Sequence, residues 1–324
     1  MGNHKVFLVT GATGYLAANF LNFIQASRSD FFEAYDQILL IDRHLKLSRL
    51  DNGILENNKI KKIAFDLSQV EEFIYLLDGL FNLEILHFAS LNNLEAEKLF
   101  IKGLHEFALK TNSLIKFIYL SSSAVYGEND SDPLIPSYET DLLKPLSAYG
   151  VYKMQIEEFI QELFQKFEIA GANFGEMILE QSFLIIRLAN PYGGEFECRG
   201  VYQNFKQQLL NTAMDESFTV EINAEAERQI VRDFVSIRDF CFILLDLIEA
   251  KACGVYNAAS EKITYLEDFA ESIKNDLLNN SLLDLSLSQK KIHIEYQGFK
   301  AGDIKVSHLS VRKLRDCLQA HNSA

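Results

Sequence analysis

Short apolar runs recur along the first 190 residues, separated by stretches long enough for amphipathic helices. Lys5–Thr10, Gln37–Asp42, Lys61–Phe65, Ile85–Ala89, Phe117–Ser121 and Phe183–Arg187 read as strands. They are apolar at nearly every position, as strands buried on both faces are. Leu16–Ser27 reads as a helix between the first two. A longer helix is predicted from about Ser147 to Phe167, where Ile156, Phe159, Ile160, Leu163, Phe164 and Phe167 fall at helical spacing. Strands alternating with helices in this way predict an α/β fold with a parallel sheet covered on both sides. Residues 130–145 hold three of the four prolines and read as a loop. Beyond Arg187 the pattern is less regular and no Gly/Ser linker marks a boundary. The expected organisation is a first domain over 1–187 with later returns near 235–258, and a smaller interleaved lobe over most of 188–324.

Composition narrows the class. The chain has 324 residues, 48% apolar, with 25 Phe and 13 Tyr to fill a core. A net charge of −14 argues against nucleic acid or an anionic membrane as the main partner. Cys198, Cys241, Cys253 and Cys317 are scattered, without a Cys-x-x-Cys pair, so neither a disulfide framework nor a metal site is expected. The first residues carry too short an apolar run for a signal peptide, and no run approaches a membrane span. A cytoplasmic location is the expectation.

Three motifs carry chemistry. Thr10-Gly11-Ala12-Thr13-Gly14-Tyr15-Leu16-Ala17 lies between a predicted strand and a predicted helix. Gly11 permits a tight turn, Gly14 lets main-chain N–H groups approach a pyrophosphate at the helix N-terminus, and Ala17 allows close helix–strand packing. The second strand ends in Asp42, placed to accept from an adenosine ribose, which favours NAD over NADP; Arg43 beside it would suit a 2′-phosphate. The fold class is therefore a Rossmann-type doubly wound parallel sheet. In Tyr149-Gly150-Val151-Tyr152-Lys153 the spacing of four puts Tyr149 and Lys153 one turn apart on one helix face. A nearby ammonium lowers a phenol's pKa and makes it a usable acid/base. Tyr152 is a competing phenol on another face. Ser121-Ser122-Ser123 sits at the carboxyl end of the fifth strand, where open α/β sheets bind ligands.

Together these residues resemble the NAD-dependent epimerase/dehydratase family, the extended short-chain dehydrogenases that act on nucleotide sugars. The likeness continues through Asp66-Leu67, His87-Phe88-Ala89-Ser90, Arg187 to Gly193, Arg232 to Val235 with Asp239, Gly254 to Asn257, and Lys300 to Asp303. It implies that Tyr149 is the catalytic base, Lys153 a nicotinamide-ribose ligand, and Ser122 the hydroxyl that meets the reacting sugar. Cofactor contacts are implied for Gly11, Thr13, Gly14, Tyr15, Leu16, Asp42, Arg43, Asp66, Leu67, Phe88, Ala89 and Ser90. Substrate contacts are implied for Ser123, Asn190 and Arg232, the arginine countering a diphosphate. A homodimer through the catalytic helix is also implied.

Ser123 and Ala124 follow Ser122, where sugar 4,6-dehydratases carry an acidic pair, so epimerisation leads. Keto-sugar reduction and uronic-acid decarboxylation come next, and a non-catalytic dinucleotide sensor is the alternative outside enzymes. The chain also departs from the family. The stretch from Ser90 to Gly103 is short, Phe100 stands where asparagine is common, and residues 168–181 resemble an insertion. The segment 222–231 lacks glycine, and Lys300 replaces an arginine.

Overall fold

The structure, a computed structural model, describes residues 4–128, 135–171, 182–196, 200–300 and 302–323; over 165–171 only the backbone is described. Cys198, Ala301, residues 130–134 of the expected loop, residues 172–181 of the expected insertion and the Phe167 side chain lie outside the described residues.

In chain order the elements of the first half are β1 (Val6–Thr10), α1 (Tyr15–Ser27), β2 (Gln37–Asp42), α2 (Asn52–Glu56), β3 (Ile60–Ala64), α3 (Val70–Leu76), β4 (Leu83–His87), α4 (Leu94–Thr111), β5 (Ile115–Ser122), α5 (Ala148–Gly171) and β6 (Ser182–Leu188). The second half adds β7 (Asn190–Tyr192), α6 (Val201–Asn211), β8 (Phe218–Ile222), β9 (Val231–Arg232), β10 (Phe234–Ser236), α7 (Ile237–Glu249), β11 (Gly254–Ala258), β12 (Thr264–Tyr265), α8 (Leu266–Asn279), β13 (Ile292–Tyr296), β14 (Val306–Ser307) and α9 (Arg312–Asn322). Every strand read from the apolar runs is present, shifted by two residues or fewer.

The main sheet is parallel, in the order β3-β2-β1-β4-β5-β6-β11. Side chains alternate between its faces with the period of a strand. Phe7 and Val9 of β1 join a core with Phe20, Leu21 and Ile24 of α1 and Phe240, Leu244 and Leu247 of α7. Val6 and Leu8 point the other way, into a core with Phe73 of α3, Phe100, Ile101 and Leu104 of α4, and Ile156, Ile160 and Phe164 of α5. A third core joins α6, β8 and α8 through Phe205, Leu209, Phe218, Phe269 and Ile273. The strand order reverses between β1 and β4, and the crevice at their carboxyl ends is where such sheets take a ligand.

A buried ion pair ties α5 to the far half of this sheet. Glu157 of α5 and Arg187 of β6 are 0% and 3% exposed, with Arg187 Nη2 2.8 Å from Glu157 Oε2. Ser121 donates to the same carboxylate. Arg187 Nη1 also donates to the Tyr126 hydroxyl at 2.9 Å and the Glu139 carbonyl at 3.1 Å. Tyr126 donates on to Asn257 Oδ1 of β11 at 2.7 Å. Removing one partner of such a pair strands the other charge in a dry interior, whereas removing both does not. Arg187→Met is therefore expected to lower unfolding free energy by about 3–5 kcal/mol, read from urea denaturation. Arg187→Met with Glu157→Leu should recover most of that loss.

Candidate active site

Gly11 leaves β1 with φ +63° and passes over the end of β4: a Cβ there would lie 2.8 Å from Ala89 N and 2.9 Å from Ala89 Cα. Gly14 is the N-cap of α1, its N–H donating to Gly11 O at 2.9 Å, and no side chain caps the helix. The first-turn N–H groups of α1 are thus left for an anion, with the helix dipole favouring it. Ala17 is fully buried where α1 meets the sheet.

Asp42 is tied to this loop by the chain itself. Its Oδ2 accepts from Thr13 N at 3.0 Å and Thr13 Oγ1 at 2.9 Å, and its Oδ1 accepts from His44 N at 3.0 Å. A carboxylate oxygen accepts more than one hydrogen bond, so a ribose hydroxyl fits alongside these donors. Thr13, expected as a direct cofactor contact, thus also serves as the link between loop and carboxylate. Arg43 is exposed. Arg49, which the sequence reading missed, donates from Nη1 to Thr13 O at 3.1 Å and stacks over Phe196 at 5.3 Å. The run Arg43-His44-Leu45-Lys46 through Arg49 was the available signal. Asp66 is held below the usual carboxylate range by hydrogen bonds from Ser68 and by the nearby charges of Arg43 and His44. The Leu67 side chain is buried in the core. Phe88 and Ala89 are half-buried and Ser90 is exposed at the end of β4. Tyr15 donates to Gly193 O at 2.8 Å, joining α1 to the chain after β7, and Leu16 packs on the core.

Ser122, Tyr149 and Lys153 come together at the end of β5. Gly150 makes this possible: a Cβ there would meet Ala124 O at 2.5 Å and Pro145 Cβ at 2.9 Å, so its absence lets α5 settle on the Ser123–Val125 turn. Tyr149 lies near enough to Ser122 for that hydroxyl to favour the phenolate. Its residue as a whole is 54% exposed. Burial raises its pKa, the Ser122 hydroxyl opposes this, and the charge of Glu97 adds to it. Lys153 is 6% exposed and donates from Nζ to Tyr119 OH at 3.1 Å and Leu120 O at 2.8 Å. Burial brings it down to about 8, against the charges of Glu97 and Glu157. The ammonium is aimed into the sheet, 6.0 Å from the Tyr149 ring, and the expected depression of Tyr149 by Lys153 is not found: burial sets the upward direction and Ser122 alone opposes it. Tyr152 faces α4, where it donates to the Glu97 carboxylate.

On the substrate side, Asn190 Nδ2 donates to Asp233 O at 3.0 Å. Ser123 is buried in its turn rather than open to a ligand. Arg232 donates to Val231 O at 2.9 Å and Lys305 O at 3.1 Å. Burial lowers its pKa to about 10, while Glu128 and Asp303 raise it. A cavity of about 260 Å³ opens beside it, lined by Phe205, Glu221, Ile222, Lys300 and Asp303 among others.

The fold and this crevice define an enzyme of the dinucleotide-binding α/β class. The profile of the NAD dependent epimerase/dehydratase family matches residues 7–259. The chain belongs to that family, and its cofactor is NAD. It is similar to a trifunctional UDP-glucose 4,6-dehydratase/UDP-4-keto-6-deoxy-D-glucose 3,5-epimerase/UDP-4-keto-L-rhamnose-reductase of Arabidopsis thaliana, 29% identical over 171 residues. That match covers 48% of this chain and 24% of the relative, so the chain spans about a quarter of that relative's length. Among solved structures it resembles the UDP-glucose 4-epimerase of Thermus thermophilus in complex with NAD, with TM-score 0.72 and 18% identity, covering 98% of this chain and 93% of the other. It likewise resembles the UDP-glucuronic acid 4-epimerase of Bacillus cereus, TM-score 0.73 and 18% identity, covering 97% and 93%. Likeness at this identity speaks to fold. Among the described residues no helix is long and apolar enough to cross a membrane.

A methyl group at position 11 would collide with the β4 main chain in a backbone region that disfavours side chains. Gly11→Ala is expected to lose at least about 1 kcal/mol of stability and to weaken NAD binding at least about tenfold, read by thermal unfolding and by fluorescence titration with NADH.

Proposed function

We propose that this enzyme epimerises a nucleotide sugar, at C4, by transient oxidation to a keto-sugar. The observation that carries the reading is the convergence of Tyr149, Ser122 and a buried Lys153 at the end of β5, followed by Ser123 and Ala124 rather than a carboxyl pair. Tyr149, as phenolate, takes the proton of the sugar hydroxyl, and Ser122 orients that hydroxyl. NAD, when bound, would supply the hydride chemistry at that carbon, and the sugar is inverted because the keto intermediate turns over before hydride returns to its opposite face. Tyr149 returns the proton at the end, so no net proton or electron leaves the site. Elimination of water would need a further acid/base couple beside Ser122, and Ser123 and Ala124 supply none.

The nucleotide end is assigned to the cavity beside Arg232. Within the described residues its guanidinium donates only to main-chain carbonyls, leaving donors for a diphosphate, with Lys300 on the same wall. The lobe over 188–324 would thus hold the nucleotide, and the first domain, with its return through β11, the cofactor. Exposed Leu99 and Leu109 on α4 support pairing of two chains through this side of the molecule. Reduction of a keto-sugar with NADPH is the second reading, favoured by the cations Arg43 and Arg49 around Asp42.

Protein purified without added cofactor and then denatured is expected to release NAD, identified by mass spectrometry, as a recycled cofactor requires. An empty protein that prefers NADPH to NADH would favour the reductase. Tyr149→Phe should abolish interconversion of UDP-hexoses while leaving NAD bound; undiminished turnover would sink the catalytic assignment. Arg232→Ala is expected to weaken UDP binding roughly 10- to 100-fold, measured by calorimetry.

A further inference from the structure

Lys153 is a charge almost without water, and its two hydrogen-bond partners, the Tyr119 hydroxyl and the Leu120 carbonyl, are neutral. The titratable groups around it are Tyr149, Tyr152 and Glu157 from α5, Tyr119 from β5, Glu97 from α4, and His87 of β4 behind Tyr119. Two of these are carboxylates. Glu157 is already balanced by Arg187, whose Nη2 and Nε lie at 2.8 and 3.0 Å, and by the Ser121 hydroxyl. Glu97 has no guanidinium or second ammonium of its own among the described residues. It is fully buried, accepting from Leu91 N at 2.9 Å and from the Tyr152 hydroxyl, with His87 Nε2 3.4 Å away. His87 shares a hydrogen bond with Thr10 Oγ1 at 2.8 Å and stacks on Phe100 at 5.1 Å between centroids.

Helical spacing sharpens the picture. Glu97 and Phe100, three apart, share a face of α4. Phe100 is the position at which the family resemblance leads one to expect asparagine. The polar group on this face is instead a carboxylate one turn earlier, seated against α5 through Tyr152. In a dry interior a charge acts over several ångströms at a strength that water would quench.

We propose that Glu97 is a positioning residue whose buried carboxylate holds Lys153 in its ammonium form and so sets the pH range over which the Tyr149/Lys153 pair works. This rests on the reading of that pair given above. Glu97 itself stays ionised: burial alone would raise its pKa, but the neighbouring His87, the charge of Lys153 and the Tyr152 hydroxyl bring it to about 2. Removing its charge takes away an attraction that raises Lys153, so the lysine must titrate lower, not higher. The alkaline limb of turnover, where the ammonium is lost, moves down with it.

The test needs no substrate. Full-length protein carrying lysine labelled with ¹³C at Cε is titrated by NMR, with the Lys153 signal assigned by Lys153→Arg. Glu97→Gln should lower the Lys153 midpoint from about 8 by about one unit or more. Tyr152→Phe breaks the α4–α5 contact but keeps the Glu97 charge, and should leave the midpoint within a few tenths of a unit. A midpoint unmoved in Glu97→Gln, or moved equally in both variants, overturns the proposal. If Glu97→Gln does not fold, the reciprocal measurement decides, since coupling between two sites acts equally on both. Lys153→Met, with glutamate labelled at the carboxyl carbon, should raise the Glu97 midpoint above its wild-type position; identical titration in both proteins refutes the coupling. A Lys153 that shifts as expected in a protein whose Tyr149→Phe variant still turns over would uphold the coupling and refute the catalytic reading.

Discussion

The passage of Gly11 across the end of β4 is the constraint on which the rest of the site depends. With the main chain of Ala89 under 3 Å from where a Cβ would stand, the loop can only be glycine there, and only in a left-handed conformation. That contact brings the start of α1 over the sheet edge, leaves its first N–H groups uncapped, and sets Thr13 against Asp42. The ends of β1, β2, β4 and β5 then border one crevice, with the cofactor loop at one end and Ser122 at the other.

A second close approach has the same logic. Gly150 permits α5 to rest on the turn after β5, and the spacing Tyr149 to Lys153 does the rest. Both glycines remove a side chain so that two backbone segments can meet, one on the cofactor side and one on the chemical side. Between them lies an interior that is charged as well as apolar. Lys153, Glu97, His87, Glu157 and Arg187 are all nearly inaccessible to water. Each is tolerable because the others are there.

Much of this was legible in the sequence because it rests on local patterns. Apolar runs gave the strands to within two residues, and the glycine loop and the Tyr149/Lys153 spacing are short-range signals. What stayed hidden depends on contacts between residues distant in the chain. The direction of the Lys153 ammonium is decided by Tyr119 and Leu120 on β5, thirty-odd residues away. Tyr152, read as a competing phenol, is anchored by Glu97 from another helix. Arg49 reaches Thr13 over 36 residues. Ser123, one residue from Ser122, alternates inward with the strand and is buried in the turn beyond it. The irregular lobe was the least legible, since its two-residue strands β9, β12 and β14 are held by partners far apart in the chain.

Asp42 shows how such an arrangement limits evolutionary change. Discrimination between the two nicotinamide dinucleotides is commonly altered at the acidic residue after the second strand. Here that residue also clamps Thr13 and caps the chain at His44. Replacing it to admit a 2′-phosphate would unfasten the glycine loop between β1 and α1. Any lineage switching dinucleotide would have to rebuild the loop in the same step, which makes this preference hard to drift away from.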